Sequence, residues 1–454
     1  METKSIILRI SIIAAIGGFL FGYDTAVING AIGPLSEDFK LSPALVGWTT
    51  GSALLGCVLG AAIAGLISRS IGRKKALLVS AALFFISAIG SAIPESETQL
   101  VIARIVGGLG VGMASMVSPM YISEVSPPEI RGRLVSYYQL AIVIGILVVF
   151  FVNYLIAELG TQKWVDETGW RYMFASETIP AALFFILIFL VPNSPRWLVL
   201  KGRHDDAKKV LHKIRDTFTA DRELYEIEES LKKEQSKESH SLLKKGVPMI
   251  VVIGVALAFF QQVTGINVIM YYGTEIFRGM GGGMKTALFQ TILVGIVNLV
   301  FTLVAIKTID KFGRKPLIII GSIGMFIGIT GLSFFVYFKS FGILALISVL
   351  LFIASFAMSL GPVVWVMISE IFPNAVRDKA MPIATAIGWV SNYLVAQTFP
   401  MLSEGEFFRS FSNGAFPFWL YGLMCIVTII FTLKYVPETK GRSLEDMEKV
   451  FGLK

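Results

Sequence analysis

Apolar residues in this chain gather in long runs separated by short polar connections, with neither the alternation of strands nor the narrow apolar stripe of soluble helices. A hydrocarbon layer about 30 Å thick needs about 20 apolar residues for a helix to cross it. Runs of that length are predicted near residues 6–31, 45–67, 75–93, 99–122, 134–157 and 171–192. A polar stretch from Asn193 to Gly246 follows, and six more runs lie near 247–273, 286–309, 315–337, 341–369, 379–402 and 415–436. The expected fold is an all-α membrane protein of twelve transmembrane helices, because lipid leaves backbone groups no partner outside their own helix.

The charges in the connections orient the spans. Arg69, Arg73, Lys74, Lys75, Arg131, Arg133, Lys311, Arg314, Lys315, Arg377 and Lys379 occupy one set of loops, while Glu37, Asp38, Glu95, Glu97, Asp166, Glu167, Glu404 and Glu406 occupy the alternate set. Lys and Arg concentrate on the cytoplasmic side. Both termini and residues 193–246 are therefore expected there, in a multi-pass protein of the cytoplasmic membrane. Within that stretch Ala207, Val210, Leu211 and Ile214 recur at helical spacing among charges, which predicts short amphipathic cytoplasmic helices.

Composition supports lipid as a partner. Apolar types make up 54% and charged types 16% of the chain, against about 25% charged in soluble domains. The net charge of +8 is placed by orientation in the bilayer, so nucleic acid is not an expected partner. Cys57 and Cys425 lie in apolar runs far apart, and the three histidines fall together in the polar stretch, so no intramembrane metal cluster is expected. No phosphate-cradling glycine loop or nucleophile–base set stands out. The expectation is a protein that is not an enzyme and needs no cofactor.

Three features recur at nearly one offset. Gly72-Arg73-Lys74 returns as Gly313-Arg314-Lys315, Glu124 with Arg131 as Glu370 with Arg377, and Val191-Pro192 as Val436-Pro437. The chain is thus expected to comprise an N-terminal six-helix bundle (1–192), a helical linker (193–246), a C-terminal six-helix bundle (247–437) and a tail (438–454). Duplicated halves of this kind suit alternating access to a mid-membrane site.

Several polar positions inside the spans are candidates for chemistry. Asp24 lies near the end of the first run. An intramembrane carboxylate is a functional candidate by default, and the proton is the coupling ion it would handle; the alternative is a helix-end carboxylate in an outer vestibule. Gln261, Gln262 and Asn267 sit in the seventh span around Thr264-Gly265. Primary amides both donate and accept, so they suit a neutral polyol; interhelical hydrogen bonding is the other reading. Trp365 follows Gly361-Pro362, where a helix break is expected, and Phe21, Tyr271, Tyr272, Trp389 and Asn392 would complete a cavity. Arg73, Glu124, Asp310, Arg314, Glu370 and Arg377 have the placement of a cytoplasmic gate of ion pairs.

Gly22-Tyr23-Asp24, the two Gly-Arg-Lys loops, Pro119-Met120-Tyr121-Ile122-Ser123-Glu124, Pro192-Asn193-Ser194-Pro195-Arg196, Gln261-Gln262-Val263-Thr264-Gly265-Ile266-Asn267 and Pro437-Glu438-Thr439-Lys440-Gly441 together resemble the sugar porter family of the major facilitator superfamily, the bacterial D-xylose:proton symporters in particular. The resemblance spans essentially the whole chain. It implies the major facilitator fold of two six-helix halves, a monomer, and proton-coupled symport of a monosaccharide or related polyol. It also implies Arg131 as the cation beside Asp24, and Gln261, Gln262, Asn267, Trp365, Tyr272, Phe21, Asn392 and Gly361 as the substrate site. Facilitative uniport and a transporter-like receptor are alternatives on the same scaffold. Two departures from the family pattern are expected: Ile146 where the fifth span carries a Gln, and Gly388 where an amide precedes the tryptophan of the eleventh.

Overall fold

The computed structural model describes residues 2–236, 247–372 and 374–440. The side chains of Asp310 and Arg377, and the parts of the linker and tail at 237–246 and 441–454, lie outside the described residues. Five long helices open the chain: α1 (Glu2–Asp38), α2 (Pro43–Ile71), α3 (Arg73–Ala92), α4 (Glu97–Val125) and α5 (Pro128–Glu158). The sixth span is composite. It runs through α6 (Gln162–Trp164), a π-turn, α7 (Trp170–Ala175), α8 (Thr178–Leu187) and a closing 3-10 turn. The polar stretch folds as α9 (Pro195–Leu200), α10 (His204–Ile214) and α11 (Thr217–Ser236).

The seventh span divides into α12 (Val247–Val263) and α13 (Ile266–Gly279), and α14 (Met284–Phe312) and α15 (Arg314–Tyr337) follow. The tenth divides into α16 (Ile343–Met358) and α17 (Leu360–Ile371), before α18 (Asn374–Glu404), the short α19 (Glu406–Ser412) and α20 (Phe416–Tyr435). Among the described residues, 11 stretches are long and apolar enough to cross a membrane. The remaining long helix, α18, spans 31 residues but carries Ser391, Asn392, Gln397 and Thr398, which lower its hydropathy. The tenth-span break falls at Ser359 (φ −130°, ψ −97°), before the expected Gly361-Pro362. Pro362 instead sits in the first turn of α17, where its missing N–H is no loss.

Two compact units form, and their limits cut through helices. One holds Met1–Thr25, Gly56–Ile146 and Phe174–Glu238; the other holds Ala26–Leu55, Leu147–Met173 and Ser239–Lys454. In the first, α2 and α4 cross closely: a Cβ on Gly56 or Gly60 would meet the Ile105 or Leu109 carbonyl at 2.2 and 2.3 Å. Small residues at such spacing let backbones approach, and dispersion then holds the crossing. The amphipathic pattern of the linker is realised here, with Ala207, Leu211 and Ile214 buried and Val210 packed against the cluster of Trp197, Leu198 and Val199. The Trp197 indole N–H donates to the Arg69 carbonyl at 3.1 Å. Arg215 pairs with Glu223 and donates to the Val125 carbonyl.

In the second unit, the far end of α1 packs on α13. Asn29 Nδ2 donates to the Met270 carbonyl at 2.7 Å, and its Oδ1 accepts from the Thr274 N–H at 3.0 Å and from the Thr274 hydroxyl. Arg278 of α13 pairs with Glu275 at 3.0 Å and with Glu37 of α1 at 3.3 Å. Gly33 admits this cluster, since a Cβ there would lie 2.0 Å from Glu275 Oε1.

Candidate functional site

In the second unit the breaks in the seventh and tenth spans meet. Gly265 takes the left-handed conformation (φ +90°) that an L side chain adopts only under strain, and the Tyr421 ring packs where a Cβ would stand, at 2.5 Å. Gln261 and Gln262 end α12, and Asn267 begins α13. Their amides form a chain: Asn267 Nδ2 donates to Gln262 Oε1 at 2.7 Å, and Gln262 Nε2 to Gln261 Oε1 at 3.1 Å. Gln261 Nε2 in turn donates to the Leu360 and Gly361 carbonyls at 2.9 and 3.1 Å. These carbonyls sit at the start of α17, just past the Ser359 break.

The predicted residues divide by what they have left to offer. Gln261 is buried and both its N–H groups are committed to backbone, so it holds the break in place. Gln262 and Asn267 are only half-buried, and each retains one uncommitted N–H by its bond count. The Tyr272 hydroxyl donates to the Ala396 carbonyl at 2.7 Å and its side chain is buried, so it fastens α13 to α18. Asn392 donates to the Tyr271 hydroxyl at 3.1 Å, and its buried Oδ1 has no donor among the described residues. Trp365 and Gly361 lie half-buried on α17.

The first unit holds a separate charged centre. Asp24 is fully buried on α1, and Arg104 of α4 donates through Nη1 to both the Asp24 carboxylate and, at 3.1 Å, its carbonyl. Asp24 Oδ2 and Arg104 Nε have no partner among the described residues. Phe174 covers the guanidinium, 5.6 Å from ring centroid to carbon. Glu177, 1% exposed and with Oε1 unpartnered among the described residues, lies within electrostatic reach of both charges. Phe21 is half-buried on α1, one turn before Asp24.

Arg131 is therefore not the partner of Asp24. It is exposed in the first turn of α5, 3.4 Å from the Ser126 carbonyl, whereas Asp24 lies deep within α1. A loop-end arginine does not reach a mid-span carboxylate. Sequence reading missed Arg104 and Glu177, although the criterion that singled out Asp24, an ionisable group inside an apolar run, applies to both. It also missed Gln139. That half-buried amide lies on α5 two turns before Ile146 and on the same face, so the fifth helix is not without one.

At the ends of the spans the repeat is realised in side-chain geometry. Arg73 binds Glu124 through Nη2 at 2.6 Å and Nε at 2.9 Å, and donates back to the Ser68 carbonyl. Arg314 binds Glu370 at 2.9 Å and donates to the Ile309 carbonyl. Each pair closes within its own unit. Glu438 adds contacts in the second: it accepts from the N–H groups of Arg314 and Lys315, both at 3.0 Å, and Lys440 at 2.8 Å. Thr439 donates to Glu370 at 2.5 Å.

The family model described as "Sugar (and other) transporter" matches residues 10–451. The chain is 46% identical to the D-xylose-proton symporter of Escherichia coli K12, covering 99% of this chain and 96% of that one. It is 44% identical to the arabinose-proton symporter of Bacillus subtilis, with the same coverage. The inward-open structure of the Escherichia coli xylose transporter superimposes with a TM-score of 0.87 at 45% identity, covering 98% of this chain and 99% of that one.

Proposed function

The chain belongs to the sugar transporter family and has the twelve-helix major facilitator fold, and from that membership we propose proton-coupled uptake of a monosaccharide by alternating access. It is a transporter and not an enzyme. Gln262, Asn267 and Asn392 hold hydroxyls of the sugar with their uncommitted amide groups, and Trp365 offers a flat face to its C–H side. The Gly-Arg-Lys ends face the cytoplasm, as do both termini. The ion pairs there join helix ends within each half, so that each half moves as a body when access switches.

The observation that carries the coupling is the buried Asp24 with one oxygen on Arg104 and the other unpartnered. Two buried carboxylates stand near one guanidinium: Asp24, which Arg104 binds, and Glu177, within its electrostatic reach. Burying a net charge is costly, so one proton bound there balances the centre and its release unbalances it. A proton entering down about 100 mV yields about 2.3 kcal/mol, enough for roughly fifty-fold accumulation.

The test is uptake into vesicles under an imposed pH gradient. Asp24→Asn is expected to abolish uphill accumulation while sugar exchange between the two sides persists. Accumulation by that variant at the wild-type level would overturn the assignment.

A further inference from the structure

Arg104 takes Oδ1 of the Asp24 carboxylate, while Oδ2 is buried with no partner among the described residues. A glycine shows which side chain stands before that second oxygen. Gly107 is buried in the interior of α4, one turn after Arg104 and on the same face. Glycine there costs about 0.5–1 kcal/mol relative to alanine, and Gly107 is absent from the positive-φ glycines of the described residues. What requires it is its surroundings. A Cβ on Gly107 would stand 2.5 Å from Asp24 Oδ2 and 2.4 Å from the Ser87 hydroxyl oxygen of α3. Both oxygens therefore point at one spot over the α4 backbone. Their separation is no greater than the sum of those two distances, a gap that one bridging water or a change of serine rotamer closes.

Ser87 is not used to join the helices. Ser80, two turns earlier on the same face of α3, does that by donating to the Gly110 carbonyl at 2.8 Å. Ser87 is 1% exposed and makes no such bond among the described residues. The other titratable groups around Asp24 are Arg104 of α4, Glu177 just before α8 and Cys57 of α2, with Tyr138 of α5 beyond Cys57. An arginine only donates, and a second carboxylate repels the first. A hydroxyl both donates and accepts, so Ser87 suits Oδ2 in either protonation state. It gives its hydrogen to the carboxylate and accepts one from the acid. No bond of the serine breaks, and the coupled proton comes from water and returns to water. Resting on the coupling reading above, we infer that Ser87 is a positioning residue of the proton site, and that Gly107 is glycine so that the hydroxyl and Asp24 meet over it. The bond to the charged form is the stronger of the two, so Ser87 eases release of the proton.

The experiment compares two modes of transport by the full chain in vesicles: net uptake driven by a pH gradient, and sugar-for-sugar exchange at equal pH. The probes are labelled D-xylose, L-arabinose, D-glucose and D-galactose, and the one that wild type carries fastest is used. Net uptake takes Asp24 through loss of its proton in every cycle, whereas exchange proceeds with the proton held. Ser87→Ala should lower net uptake about tenfold, the loss of one hydrogen bond to a charged group, and leave exchange within about twofold. A serine that merely packs α3 against α4 would lower both alike. That outcome overturns the inference, as does net uptake by Ser87→Ala at the wild-type rate. Ser87→Cys, of nearly the same shape but a weak donor, should fall between the two, and it decides if Ser87→Ala does not fold. Asp24→Asn in the same vesicles separates the failures. Accumulation by that variant would sink the coupling reading itself; its loss, with Ser87→Ala still at the wild-type rate, would sink only the role of Ser87. Transport of none of the four sugars by wild type would sink the sugar reading and this inference with it.

Discussion

Gln261 and Gln262 are adjacent and chemically identical, yet the structure gives them different work. Gln261 has both N–H groups on backbone carbonyls, whereas Gln262 keeps one free on a half-buried side chain. Gln262→Ala is expected to weaken sugar binding about tenfold, the loss of one good hydrogen bond with its partner left unmet, without lowering thermal stability in detergent. Gln261→Ala should do both, because the Leu360 and Gly361 carbonyls lose their donors. Equal stability of the two variants would refute the division of roles. The same reasoning applies to Arg104. Removing one partner of a buried ion pair costs about 3–5 kcal/mol, so Arg104→Gln should be strongly destabilised, and Arg104→Gln with Asp24→Asn should recover much of that loss.

Helices fix where these side chains stand. The break at Thr264-Gly265 turns α12 into α13 and brings Asn267 back within reach of Gln262. Gly265→Ala places a Cβ in a left-handed residue, at about 1–2 kcal/mol, and against the Tyr421 ring. Transport should fall more steeply than fold stability, and a variant transporting at the wild-type rate would show that the break is not needed. At the start of α15, Glu438 caps the helix. Partial burial pushes its carboxyl up, but the N–H groups of Lys440, Arg314 and Lys315 outweigh that and hold it below the ordinary 4.5. Its folded value lies below its unfolded one. Its contribution is therefore complete above pH 4.5 and fades as pH falls from there through the folded value. The thermal stability of wild type should exceed that of Glu438→Gln at neutral pH, and the gap should close below pH 4.5. A gap independent of pH would remove the carboxylate as its cause.

On the scale of the whole molecule, the two compact units do not coincide with the two halves of the repeat. Residues 26–55 of the first half pack with the second, through Asn29 on Thr274 and Arg278 on Glu37. Alternating access requires such a contact to part once in each cycle. Oxidative cross-linking of Asn29→Cys to Thr274→Cys should stop turnover, and reduction should restore it; full turnover by quantitatively cross-linked protein would disprove the requirement. The number of spans, the amphipathic linker, the repeated Arg–Glu pairs and the amides of the seventh span were legible in the sequence alone. Each depends on local periodicity or on residue types recurring at a fixed offset. The partner of Asp24, the division between Gln261 and Gln262 and the inward turn of the Tyr272 hydroxyl were decided only by tertiary structure. A charge or a hydrogen-bonding group is satisfied by whatever approaches it across the fold, so its partner has no signature in any one stretch of chain.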